Sequence, residues 1–435
     1  MPEVEGLRTA IPGPRSREAA SRLRAAEARG VTYLGDDYPV FWQSASGATV
    51  TDIDGNQYID LTSAFGVAAV GHTNLMVARA IAEQAAEMMH GMGDVHPSGV
   101  RTELVERLAA LAPVDDARVF LSTTGSEAIE FALKTAMLAT GEPDVLAFGG
   151  AYHGLSYGTL DICGIPKFRK PWLAQLREST SFVPFPDMRE LRSLDIGLDR
   201  VERVLRKRRS IGAVVVEPIQ GRAGIIIPPD GFLTGLRALC TKYDALLILD
   251  EIYTGFGRTG RLFACEHEGV RPDIICVGKA LGGGFPISAA IGARSVMDAW
   301  PLSSGEALHT STFLGNPMGC AAALATLDEI ERLDLAHHAQ RIGDAIAARL
   351  HAYSPSVPAV RDARGRGALW ALELRDGEMA RSIVVRALAR GLMLLQAGLR
   401  GEVITLAPPL IIESEQLERA CDILDMTVRE STEAS

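Results

Sequence analysis

Between about residues 100 and 300 the chain repeats one rhythm. Short apolar runs alternate with stretches whose apolar positions recur every three or four residues. The runs are "RVFLS" (118–122), "DVLAFGG" (144–150), "GAVVVEPI" (212–219), "ALLILDE" (245–251) and "DIICVGK" (273–279). They are β-branched and apolar on both faces, as strands covered by helices on both sides must be. The pattern predicts an α/β fold with an open, mostly parallel sheet flanked by helices. Ligands of such sheets bind in the crevice beyond the carboxyl ends of the strands.

Outside this region the rhythm changes. Residues near 15 to 29 read as a short polar helix. "GATVTDIDGNQYIDL" (Gly47 to Leu61) alternates apolar and polar positions around Asp54-Gly55-Asn56, which predicts a hairpin. Its acids do not make a calcium loop, because no glutamate stands at the twelfth position. After about residue 330, helices alternate with a short β region, "GALWALEL" (367–374), and a last helix is expected with Ser414 as its N-cap. That part reads as a smaller α+β domain. There is no internal repeat and no low-complexity linker.

The chain has 435 residues, too many for one small core. Hydrophobic residues are 47% and charged residues 23%, which is ordinary for a soluble globular protein. A net charge of −10 argues against nucleic-acid or anionic-membrane partners. The one basic cluster, "RVERVLRKRRS" (200–210), has helical spacing and is better explained as a solvated helix face. The cysteines are scattered with no C-x-x-C, which fits a reducing cytosol and not a zinc ribbon or disulfide scaffold. The N-terminus lacks a signal peptide's apolar core, and no apolar run is long enough to span a bilayer. A cytoplasmic protein is expected.

Candidate chemistry gathers at strand ends. In "DIICVGKALGGGFPISAAIG" (273–292), Lys279 follows a β-branched run and precedes three glycines. A lysine in apolar surroundings must be paired or lose basicity, and a less basic lysine is a nucleophile that forms Schiff bases. The plainer reading is a strand-end lysine reaching solvent. "ALLILDE" ends in Asp250 and Glu251, of which one is expected to face the crevice. "TTGSEAIEFALKTAMLAT" (123–140) carries a capping box, Thr124 with Glu127, so a helix begins near Gly125. The free first amides at Gly125 and Ser126 can hold an anion, and Gly125 lets it approach, although many helices start this way. "GGAYHG" (149–154) adds Tyr152, which either lies flat on a ring or is a core tyrosine. There is no dinucleotide fingerprint and no nucleotide P-loop. An anion cradle, an aromatic, a carboxylate and a lysine on one sheet edge match pyridoxal phosphate.

"LDEIYTGFGRTGRLFACEHEGVRPDIICVGKALGGGFPISAAIGA" (249–293) resembles the signature of class III, or subgroup II, aminotransferases of the fold-type I pyridoxal-phosphate group. The similarity continues through "VGHTN", "TTGSEAIEFALK", "AYHG", "VVEPIQG", "HTSTFLGNP" and "LAPPLII", and fades before about residue 30 and after 430. The resemblance implies a large cofactor-binding domain (71–330), and a small domain formed by residues 1–70 and 331–435. By position, Lys279 is the Schiff-base lysine, Asp250 the partner of the pyridine nitrogen, and Gly125 and Ser126 the phosphate site. Tyr152 stacks on the ring; His153, Glu217 and Tyr253 line the cofactor. Thr312 reaches the phosphate of a neighbouring subunit, which implies a homodimer with shared sites, or a tetramer built from it. Two positions depart from the pattern. Thr405 stands where an arginine usually grips an α-carboxylate, leaving Glu217 without its usual partner, and Tyr253 stands where a glutamine is common. Arg400 is a nearby candidate to replace that arginine; a surface arginine is the plainer reading. The implied activity is transfer of an amino group between an amine, ω-amino acid or amino sugar and a keto or aldehyde acceptor. The same scaffold hosts the alternative, an isomerase (epimerase, racemase or aminomutase) or an eliminating lyase.

Overall fold

A computed structural model describes residues 6–33, 35–353 and 357–433. The chain divides into two compact units. Residues up to Asn74 and from His338 onward form one, and Leu75–His337 form the other.

The larger unit is built on a seven-stranded sheet. Its strands are β1 (Ala117–Ser122), β2 (Asp144–Phe148), β3 (Thr180–Val183), β4 (Ile211–Val216), β5 (Leu246–Asp250), β6 (Ile274–Val277) and β7 (Ser288–Ala293), in the order β1-β7-β6-β5-β4-β2-β3. The five strands from β3 to β6 run parallel to their neighbours, and β7 runs antiparallel to both β6 and β1. Every residue of β4 and β6 is buried, which is why these strands read as unbroken apolar runs. The mostly parallel α/β sheet expected from the sequence is present, with all five predicted runs among its strands. Two strands are additional. β7, "SAAIGA", consists mainly of small residues and carries little β-branched signal, yet it fits tightly between β1 and β6.

The helix Gly125–Thr140 leaves β1 where its capping box predicts. The Thr124 hydroxyl accepts from Glu127 N, and the Glu127 carboxylate accepts from Thr124 N. Ala128, Ile129, Ala132 and Ala136 bury its inner face against β-sheet residues Ala213, Val215 and Ile248.

The smaller unit holds two four-stranded sheets. The hairpin strands Thr49–Asp52 and Gln57–Asp60 pair antiparallel, as expected, with Trp42–Ser46 and Leu392–Met393 on either side. Asp52 ties the turn by accepting from Asp54 N, Asn56 N and Tyr58 Oη. Asp54 accepts from Arg15 N and Ser16 N at the start of the helix Pro14–Ala26. These acids therefore cap and brace the backbone. The second sheet contains Leu369–Leu374 within the predicted β region. The last helix runs Ser414–Glu433, and the Glu413 carbonyl accepts its first bond from Leu417 N. Ser414 is thus its first helical residue, one position inside the expected cap.

Candidate active site

Each candidate residue of the larger unit, Thr312 excepted, lies at or just after the carboxyl end of a strand. β1 leads to Gly125 and Ser126, β2 to Tyr152 and His153, β4 to Glu217, β5 to Asp250 and Tyr253, and β6 to Lys279. Asp250 pairs in register with Cys276, so β5 and β6 bring the aspartate and the turn bearing Lys279 together.

Asp250 is buried. Its Oδ1 accepts from Ile252 N at 3.1 Å, and its Oδ2 lies 2.7 Å from His153 Nδ1. The next residue, Glu251, faces the other way and is held by Thr254, Ala264 and Cys265. Alternation of side chains at the strand end separates the two acids, and Asp250 is the one in the crevice. Burial opposes charge on His153, but the hydrogen bond and attraction of Asp250 outweigh it and raise the imidazole pKa above its ordinary value. His153 Nε2 has no partner among the described residues.

Lys279 is half-buried at a backbone φ of 43°. A side chain other than glycine in this region is strained by about 1–3 kcal/mol and persists only where the surroundings enforce it. Burial pulls the ammonium pKa down, against the opposing pull of Asp250 and Glu217. The ammonium lies 4.7 Å from the centre of the Tyr253 ring, a cation–π contact of about 0.5–2 kcal/mol. This departs from a solvated strand-end lysine.

Glu217 is buried and receives two backbone donors, Tyr152 N at 2.9 Å and Gly221 N at 3.0 Å. No ion pair joins it to a side-chain cation among the described residues. Burial pushes its carboxyl from 4.5 up to about 7, with His153 pulling down and Asp250 adding to the rise. The Tyr152 ring meets Phe168 edge-on at 5.6 Å. Its main chain, more than its ring, is tied to the acid cluster.

At the helix start, the Gly125 and Ser126 amides have no hydrogen-bond partner among the described residues. The Ser126 hydroxyl is 2.7 Å from Ser156 Oγ and 2.8 Å from Thr159 Oγ1. Those two hydroxyls had no distinctive signal in the sequence. Gly125 has a further reason to be glycine. A Cβ there would lie 2.6 Å from Ile252 Cδ1. Thr312 is exposed, without a hydrogen bond to the cluster. In the smaller unit, the buried Thr405 donates its hydroxyl to Leu395 O at 3.3 Å. Arg400 is exposed beside Glu402, as a surface arginine.

The donor set suits pyridoxal phosphate. Two open amides at a positive helix end suit a phosphate, a buried carboxylate suits a protonated ring nitrogen, and a lysine of lowered basicity suits an aldehyde. The comparisons agree. The pattern of the family described as Aminotransferase class-III matches residues 33–428. The chain is 37% identical to the 4-aminobutyrate aminotransferase of Mycobacterium leprae, covering 98% of each chain. It is also 37% identical to the putrescine aminotransferase of Pectobacterium atrosepticum, over 91% of this chain and 84% of that one. Among solved structures, the ornithine aminotransferase of Toxoplasma gondii superposes with a TM-score of 0.87 at 29% identity, over 97% of this chain and 96% of that chain. A Bacillus anthracis aminotransferase gives 0.89 at 27% identity, over 96% and 99%. The chain belongs to the class III aminotransferase family. It is a fold-type I, pyridoxal-phosphate-dependent transaminase, and these relatives lend no support to the isomerase or lyase alternative.

The elevated Glu217 pKa has a consequence for stability. The folded protein holds this proton more tightly than the unfolded chain, so the contribution is complete below about 4.5 and is lost as pH rises through about 7. The full effect is bounded at about 3 kcal/mol. The cofactor-free Glu217→Gln variant should therefore lose less melting temperature than the parent between pH 5 and pH 8. Equal losses in the two proteins would place the titration elsewhere.

Proposed function

We propose that the amino donor is an amine or ω-amino acid whose reacting nitrogen lies away from any α-carboxylate, and that Lys279, Asp250, His153 and the Gly125–Thr140 helix start carry the chemistry. The observation that carries this reading is Lys279 in a strained, half-buried turn beside the buried Asp250–His153 pair. The names of the relatives, which refer to 4-aminobutyrate and putrescine, support the substrate class. So does the sequence position of Thr405, where the family pattern has an arginine and this chain has a single hydroxyl, with no two-pronged grip to offer a carboxylate.

Bound here, pyridoxal phosphate supplies an aldehyde and an electron-accepting ring. The amides of Gly125 and Ser126 would hold its phosphate, with the Ser126 hydroxyl oriented by Ser156 and Thr159. The Asp250 carboxyl lies in the crevice, where it would pair with a protonated ring nitrogen. His153 fixes that carboxylate through Nδ1 and lowers the cost of burying it. With its amine free, Lys279 would act as the base that takes a proton from the donor carbon and, as the resulting ammonium, as the acid that gives the proton back. Its lowered pKa makes the neutral, proton-accepting form more accessible than in a solvated lysine. Tyr253 steadies the ammonium when the proton is on it. Tyr152 and Glu217 form the adjoining wall, and Glu217 meets a hydroxyl or cationic group of the substrate.

The working unit in this reading is a cytoplasmic homodimer with shared sites. Met89, Met92, Val95, Leu308 and Phe313 are more than half exposed, and their two segments touch where Phe313 meets His90 and Thr310 bonds Asp94. An apolar surface of this kind suits a protein partner. Exposed Thr312 lies on the same loop, from which it would reach the phosphate in a neighbouring subunit's site. All six cysteines are buried thiols, as a reducing compartment favours. Among the described residues, no helix is long and apolar enough to cross a membrane.

Three measurements follow from this reading. Asp250→Asn should retain the cofactor and lose roughly three decades in rate, about 4 kcal/mol, whereas near-normal turnover removes the role assigned to Asp250. Mixing Lys279→Ala with Thr312→Ala chains should restore activity, because a mixed dimer has one site free of both lesions. No recovery after verified subunit exchange would put Thr312 in its own chain's site. A single turnover with putrescine or 4-aminobutyrate and no acceptor should convert the cofactor stoichiometrically to its amine form and release a carbonyl product. Deuterium incorporation into substrate with no conversion of the cofactor to its amine form, or release of ammonia, would contradict transamination. Glutamate as the best substrate in both directions would contradict the donor class alone.

A further inference from the structure

The loop that leaves β5 brings two side chains to the site. Ile252 wedges between two backbones. A Cβ on Gly125 would lie 2.6 Å from its Cδ1, and a Cβ on Gly278 would lie 3.5 Å from its Cγ2. Ile252 therefore registers the start of the Gly125–Thr140 helix against the turn that carries Lys279. Tyr253 follows, beneath the Lys279 ammonium, and its ring occupies the space a Cβ on Gly221 would need, at 2.6 Å.

Glu251, immediately before them, is wholly buried. Its carboxylate accepts from Thr254 Oγ1 at 2.5 Å, Ala264 N at 2.9 Å and Cys265 N at 2.8 Å. Its carbonyl accepts from Gly255 N, and its own N–H donates to the Cys276 carbonyl on β6. One residue thus joins the two ends of the 252–263 loop and ties them to the strand that leads to Lys279. A buried carboxylate with three donors resists displacement, because any lost bond exposes an uncompensated acceptor.

We propose that Glu251 is a positioning residue: by clasping the loop at its base it fixes Ile252 between the helix start and the Lys279 turn, and Tyr253 beneath the lysine. It touches none of the reacting groups and acts through these neighbours. The proposal rests on the reading that Lys279 and the helix start hold the cofactor.

The test uses the full-length protein, stripped of cofactor and titrated with pyridoxal phosphate. Three quantities are read: the dissociation constant, the pH midpoint of the visible absorbance of the reloaded protein, and the melting temperature. Glu251→Gln puts an amide group against backbone N–H donors. It should weaken cofactor binding about tenfold, the equivalent of about 1.4 kcal/mol, and shift the absorbance midpoint. Thr254→Val removes one bond of the clasp and should give a smaller change in the same direction. Asp144→Asn is the control. It breaks a side-chain anchor to Arg208 and Ser210 at the start of β2, at the opposite end of the strands, and should lower the melting temperature with binding and midpoint unchanged. Unchanged binding and midpoint in Glu251→Gln, with only a lower melting temperature, would overturn the proposal. If that variant does not fold, unchanged binding and midpoint in Thr254→Val would overturn it equally. Failure of the parent to take up pyridoxal phosphate would overturn the underlying site reading first, so the two failures are distinguishable.

Discussion

A carboxylate buried at the end of a parallel strand must be compensated, and much of the larger unit's crevice answers that need at Asp250. An isolated buried charge of this kind costs several kcal/mol or is neutralised by protonation. Here His153 lies 2.7 Å away and becomes more basic in return. Lys279 supplies positive charge from the adjacent strand end, at the expense of its own basicity. Glu217 adds another acid to the same crevice and is pushed toward neutrality. The shifts belong together: four titratable groups share one poorly hydrated space, and the balance leaves a lysine less basic than lysine in water.

The fold makes that crowding possible. Parallel strands deliver their carboxyl ends to one edge, and each following turn projects its first residues into the crevice. The strained backbone at Lys279 and the missing Cβ at Gly125 reflect how closely those turns approach. Ile252 fills the space between them. A site assembled from five separate strand ends needs such spacers, since each turn has its own freedom to move.

Much of this was legible in the sequence because the physical signals were local. Fully buried strands read as β-branched runs, and the capping box at Thr124 and Glu127 marked the helix start to the residue. The resemblance to class III aminotransferases singled out Lys279 and Asp250, which the fold carries to neighbouring strand ends. What was not legible depended on tertiary fit. β7 is a strand by virtue of its two neighbours and not of its own alanines and glycine. Gly125 reads as an opening for an anion, whereas its tightest neighbour is an isoleucine more than a hundred residues later. The choice between Asp250 and Glu251 required knowing which face of β5 meets the crevice. The engagement of the Ser126 hydroxyl by Ser156 and Thr159 rests on two unremarkable residues meeting across turns.

The central claim is that Lys279, and no other lysine, is the residue that the environment of the crevice has made reactive. Borohydride reduction of the cofactor-loaded protein, followed by peptide mapping, tests it directly. The account predicts a stable pyridoxyl label on the peptide containing Lys279, with loss of the label in Lys279→Ala. A label on a different lysine of the parent protein would contradict it.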